Sequence, residues 1–92
     1  MIKKLKLAPH TLKRFEPNLD SYFFYNVSTS DFWQTDSITG FVISSLDGSL
    51  SRDEVINVLF SNNPKISRAE LEKHFYNVFD FLIGKGYICE EY

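Results

Sequence analysis

Two histidines, one cysteine and twelve carboxylates are the groups of this 92-residue chain able to do acid–base, nucleophilic or metal chemistry. His10 follows Pro9 in an early loop, and His74 lies in the last long helical pattern. No carboxylate set at metal-ligand spacing accompanies either one, so no metal is expected. Cys89 stands alone, which excludes an internal disulfide and a cysteine-based zinc cage. Nucleophilic catalysis needs a base beside the nucleophile, and Cys89 has no partner in the sequence for that role. The glycines at 40, 48, 84 and 86 form no phosphate-cradling loop, and Glu90–Glu91 reads as solvated. Neither an enzyme nor a cofactor is expected. What remains is main-chain chemistry: the free N–H and C=O groups of an unpaired strand edge.

That edge is expected at Asp31–Thr35, in the stretch DFWQTDSITGFVISSLDG. Upstream, Ser21–Val27 carries four consecutive aromatics, which favour a pleated surface. Its two faces, Tyr22/Phe24/Asn26 and Phe23/Tyr25/Val27, are both apolar enough to want cover. The turn residues Glu16–Asp20 and Ser28–Ser30 predict antiparallel returns on either side. A meander of Thr11–Phe15, Ser21–Val27 and Asp31–Thr35 follows. Phe32 and Gln34 then share one face of the last strand, and Trp33 and Thr35 the other, so either one aromatic holds the core while the other anchors a guest, or both are core aromatics. Ile2–Leu7 reads equally well as a strand or a mobile basic arm.

Three helices are expected downstream. Thr35–Asp36–Ser37 caps the first, Ile38–Leu46, with Ile38, Phe41, Val42 and Leu46 as its apolar stripe and Asp47–Gly48 as its stop. Gly40 allows another segment to approach closely. Ser51 with Glu54, and Ser67 with Glu70, have capping-box spacing for the second and third helices. In the third, Leu71, Phe75, Val78 and Leu82 form one stripe, flanked by Tyr76, Phe79 and Ile83 on one side and Phe81 on the other. The apolar arc is about 220° at about 100° per residue. Either the sheet covers the flanks, or one flank lines a groove that a partner fills. Tyr87–Cys89 reads as a short extended tail.

Composition sets the class. Apolar content of 43%, charged content of 24% and aromatic content of 16% fit one small α+β domain over residues 1–92 with a ring-rich core. No apolar run is long enough for a membrane span, and no signal peptide is read at MIKKLKLAP. A reduced thiol in the cytoplasm is the expectation for Cys89. Residues 1–46 carry five basic against four acidic side chains and residues 47–92 five against eight, for a net charge of −2. The helical half is the acidic half, so the basic footprint of a nucleic-acid binder is missing where a recognition helix would sit.

Asp36–Gly40, Leu46–Gly48, Ser51–Ile56 and Gly86–Ile88 together resemble the PqqD-like family in order and spacing. These are the RiPP recognition elements, small domains that bind leader peptides of ribosomally made, modified peptides. The resemblance spans nearly the whole chain. It implies a winged-helix-like fold, three antiparallel strands followed by three helices. It also implies a leader peptide that adds as a further strand beside the third strand and packs against the third helix. On this chain the docking edge is then Asp31, Phe32, Trp33, Gln34 and Thr35, and the groove wall is drawn from His74, Phe75, Val78, Phe79 and Phe81. The implied partners are the precursor peptide and a maturase, radical SAM by family analogy. The lysines at 3, 4 and 6 are left to meet acidic leader residues. Three other readings stay open. They are a winged-helix nucleic-acid-binding or regulatory domain, a structural subunit or piece of a larger maturation enzyme, and a homodimer through the open edge. Met1 followed directly by a strand-like segment favours a free-standing protein.

Overall fold

A computed structural model of the chain describes residues 2–92. In chain order the elements are β1 (Lys4–Leu7), β2 (Thr11–Glu16), β3 (Ser21–Asn26), β4 (Asp31–Asp36) and α1 (Ser37–Ser44). They continue with β5 (Asp47–Leu50), α2 (Arg52–Asn62), α3 (Arg68–Gly84) and β6 (Ile88–Glu91).

The expected meander forms. β3 is the middle strand, antiparallel to β2 from Thr11↔Asn26 to Glu16↔Ser21 and to β4 from Asn26↔Asp31 to Ser21↔Asp36. Both returns are four-residue loops whose last residue is left-handed, Asp20 at φ 48° and Ser30 at φ 62°. Phe24 and Asn26 point into the core. The opposite face, with Leu12, Tyr25 and Phe32, stays exposed, so the cover expected for it does not come from the described residues.

The order of three strands and then three helices is corrected by a second sheet, β5–β1–β6. Ile2–Leu7 is thereby settled as a strand: Leu5 is fully buried, facing Leu50 on one side and Glu90 on the other. Asp47–Gly48 is not the stop of α1 but the start of β5. Because Lys6 faces Asp47 while Leu5 faces Leu50, Gly48 and Ser49 bulge from the ladder, with Gly48 at φ 90°. α1 ends earlier, where the hydroxyls of Ser44 and Ser45 both donate to the Phe41 carbonyl, at 2.9 and 2.7 Å.

The caps are those expected: Asp36, Ser51 and Ser67 each accept from a backbone N–H of the first turn, and Ser51–Glu54 closes a full capping box. The buried face of α1 is not. Thr39, Gly40 and Ile43 face inward, while Ile38 and Phe41 are 71% and 63% exposed. The cause is Gly40, where an added Cβ would lie 2.3 Å from the Tyr22 side chain. The sheet meets α1 on its glycine side, which leaves Ile38 and Phe41 of the expected stripe outward, while Val42 stays half-buried and Leu46 joins the core. α3 buries Leu71, Phe75, Phe79 and Leu82, so Phe79 takes the core position expected for Val78.

Polar ties join these layers. Arg52 donates to Glu90 in a fork at 2.7 and 3.1 Å and to Asp80 at 2.8 Å, fixing α2 to β6 and α3. Lys4 donates to Glu54 Oε1 at 2.5 Å, so that lysine is committed within the chain, and Lys3 lies over the Tyr92 ring. Buried Asn26 donates to the Lys85 carbonyl at 2.9 Å and accepts from the Ser28 and Thr29 N–H groups.

Candidate functional site

Four strands lie at sheet edges: β2 and β4 in one sheet, β5 and β6 in the other. Unpaired edges invite other chains, and charge or irregularity blunts them. β2 carries Lys13 and Arg14 at its centre, β5 is four residues long and bulged, and β6 ends in Glu90–Glu91. β4 differs. Its acids, Asp31 and Asp36, sit at its two ends, and its four central residues, Phe32 to Thr35, carry no charge. Among the described residues its backbone pairs with β3 alone.

Side chains alternate along β4 as expected. Trp33 is half-buried, with its ring centroid 5.4 Å from Phe24, 6.3 Å from Phe81 and 6.4 Å from Tyr87. Phe32 is 61% exposed on the outer face, 5.4 Å from Phe23. Trp33 is therefore the aromatic held by the core, and Phe32 the free one. Thr35 shares the Trp33 side, and Asp31 and Gln34 flank the two aromatics.

The Trp33–Phe81 contact also fixes which flank of α3 looks toward β4. His74, Val78 and Phe81 repeat at helical spacing beside the buried stripe, and they run from exposed through half-buried to 46% exposed. The opposite flank is committed elsewhere: the Tyr76 hydroxyl donates to Asp53, and Arg52 lies over the Tyr76 ring. That bond, with partial burial, pushes the Tyr76 pKa up to about 12. Two residues of the expected wall sit deeper. Phe75 is 4% exposed and stacks edge-on with His74 at 4.9 Å. Phe79 is fully buried and belongs to the core, which corrects its place in the wall: it has no surface to offer a peptide.

At the Asp36 end of β4 the strand and α3 part around a hollow of about 340 Å³, lined by Asp36, Thr39, Glu70, Leu71, His74 and Phe75 among others. Burial raises the Asp36 pKa, but the backbone N–H and hydroxyl of Thr39 more than offset it and hold the carboxyl below its ordinary value. Asp36 and Glu70 were not foreseen as site residues, because both also read as helix-cap acids. The repeat Glu70–His74–Val78 was the signal that places Glu70 on the α3 wall; nothing local marked Asp36 as facing it.

No catalytic set assembles. His10 is bonded to the Gly86 carbonyl at 2.9 Å. Burial, and then the hydrogen bond to Glu91, push the Cys89 thiol up, away from the reactive thiolate. Among the described residues no three His, Cys, Asp or Glu side chains cluster to hold a metal ion, and no helix is long and apolar enough to cross a membrane.

No protein-family model and no curated protein matches the chain. Solved structures do. TbiB1, in complex with the TbiA(beta) leader peptide, superposes with a TM-score of 0.74 at 13% identity, over 90% of this chain and 93% of TbiB1. The chain has the fold of a RiPP recognition element. The heterocyclase TruD shares it as well, with a TM-score of 0.60 at 17% identity, over 96% of this chain but only 11% of TruD. At these identities the fold is what is shared. The resemblance seen in the sequence is borne out at that level.

Proposed function

We propose that residues 1–92 act as one non-catalytic domain that captures the leader region of a ribosomally synthesised precursor peptide and delivers it to a modifying enzyme. The observation that carries this reading is β4, an edge strand open on its outer side and uncharged over Phe32 to Thr35, beside the His74–Val78–Phe81 flank of α3. A guest strand on that edge takes affinity from main-chain hydrogen bonds and specificity from alternate side chains. On the inner face those side chains meet Trp33, Val78, Phe81 and His74, and on the outer face they meet Phe32. The helices and the β2–β4 meander then serve as a winged-helix-like scaffold of PqqD-like type. TbiB1, with its leader peptide, supports the class of guest, and TruD, a heterocyclase, supports association with a modifying enzyme; a radical SAM maturase is the partner that the family resemblance implies. The work done is to raise local concentration: a bound leader holds the remainder of the substrate near its enzyme. The setting is the cytoplasm, where a lone thiol stays reduced. A second copy competes for the same edge, so an unliganded homodimer through β4 belongs to the proposal. A nucleic-acid role is disfavoured by α3, whose surface carries Glu70, Glu72 and Asp80.

The test is titration calorimetry with the leader of a precursor peptide encoded beside this gene, on wild type, Gln34→Pro and Thr35→Pro. Successive N–H groups point to opposite sides of a strand, so one proline removes a donor to the guest and the other a donor to β3. The first variant is expected to fold and lose binding; the second loses stability. Two folded variants that bind like wild type would overturn strand addition.

A further inference from the structure

A second hollow is larger than the one beside β4. It lies between α1 and α2, encloses about 540 Å³, and has Phe15, Tyr22, Phe41, Val42 and Val58 among its walls. No charged residue lines it. Phe41 is 63% exposed and Val58 49%, so apolar side chains that a small domain would ordinarily bury stand open here. The two hollows adjoin. Ile38, Leu59 and Asn63 line both, and Ile38, 71% exposed, forms the ridge between them. A chain that leaves the β4 edge at Asp36 therefore enters the smaller hollow first and reaches the larger one by crossing Ile38.

Charge describes what must cross. Asp36 and Glu70 border the smaller hollow, and neither takes part in an ion pair among the described residues. Beyond the helix-start N–H groups they face, the two acids have no cationic partner side chain, which favours a cationic residue in the occupant at that point. The larger hollow rejects charge, because an ion moved into it would lose water and gain no partner.

We propose that the α1–α2 hollow is a second subsite for the same peptide. The segment that flanks the added strand at its Asp36 end lays a basic residue across Asp36 and Glu70 and inserts aliphatic or aromatic side chains between Phe41 and Val58. This rests on strand addition at β4 and extends it to a bipartite site. The β4 edge supplies register and the selectivity of its alternate side chains, and the apolar subsite adds further discrimination among peptides. It also accounts for the outward part of the α1 stripe, which the fold itself leaves without a partner.

The experiment is a selection of random peptides by messenger-RNA display on the full chain, followed by calorimetry with the consensus peptide. The expected consensus is a strand-forming stretch flanked on one side by a basic residue and then an apolar pair. Phe41→Asp, at an exposed position checked by circular dichroism, is expected to weaken that peptide about tenfold or more. Deleting the apolar pair should cost wild type as much and cost Phe41→Asp little. Selection on Glu70→Lys should replace the basic residue by an acidic one. A consensus confined to the strand, bound equally by Phe41→Asp, overturns the second subsite and leaves strand addition standing. Peptides insensitive to both Gln34→Pro and Thr35→Pro, or a selection that yields none, overturn both. If Phe41→Asp converts a dimer to a monomer in sedimentation without changing peptide affinity, the hollow is closed by a second copy, and the subsite is again overturned.

Discussion

At the scale of single residues, the most informative groups are those whose chemistry is spent inside the chain. Glu54 shows how. Its Oε1 accepts from the Ser51 N–H at 2.9 Å and from Lys4, so one carboxylate caps α2 and ties it to β1. The bond from Lys4, followed by those from Ser51, lowers its pKa from 4.5 to about 2. A carboxylate depressed in the folded state contributes stability that is fully present above its unfolded value and is lost as pH falls through the folded one. The relevant window therefore runs from about 4.5 down to about 2. In urea titrations across it, Glu54→Gln is expected to show a shallower loss of stability than wild type. Equal slopes would mean that the Lys4 pair does not persist in solution. The spacing Ser51-x-x-Glu54 made the cap legible. Lys4 was not legible as a partner, because fifty residues separate it from Glu54 and nothing local marks the pair.

At the scale of elements, local signals were read correctly wherever the deciding contacts were local. Both hairpins and all three helix caps follow from turn and cap residues. The alternation of Phe32 and Trp33 follows from strand periodicity alone. The β5–β1–β6 sheet did not, since its strands are four residues long and β1 pairs with partners more than forty residues away. α1 is the sharpest case. Its apolar residues were visible, but the side that faces the sheet is set by the close approach of Tyr22 to Gly40, a tertiary fact. This inversion makes a prediction. Ile43 is fully buried, so Ile43→Ala should cost about 2–5 kcal/mol. Phe41→Ala, at an exposed position, should stay within about 0.5 kcal/mol of wild type. Urea unfolding of the two variants measures both. The reverse order would put the stripe back in the core and remove the larger hollow with it.

At the scale of the whole molecule, the candidate groove exists because two separately built units meet at one corner. The β2–β4 meander carries the open edge and α3 carries the facing wall, and the contacts that hold them together gather at Lys85–Tyr87. Asn26 donates to the Lys85 carbonyl, His10 bonds the Gly86 carbonyl, Thr11 donates to the Tyr87 carbonyl at 2.8 Å, and the Trp33 ring packs near Tyr87. Gly86 belongs to this corner too: it sits at φ 80°, and a Cβ there would lie 3.1 Å from the Asn26 amide. Asn26→Ala removes the one side chain among the described residues that bonds both the corner and the β3–β4 turn. It removes the partner of the Ser28 and Thr29 N–H groups and of the Lys85 carbonyl; these belong to exposed residues that water reaches, so each lost bond costs about 0.5–1.5 kcal/mol. If groove width is set at this corner, the variant should also bind the leader more weakly under conditions where it is fully folded. The loss should appear mainly as faster dissociation, because the edge itself remains available for encounter. Stopped-flow binding at low temperature without denaturant separates the two effects. An unchanged dissociation rate in a destabilised but folded Asn26→Ala protein would mean that β4 recognises its guest independently of α3, and that the groove is not a single site.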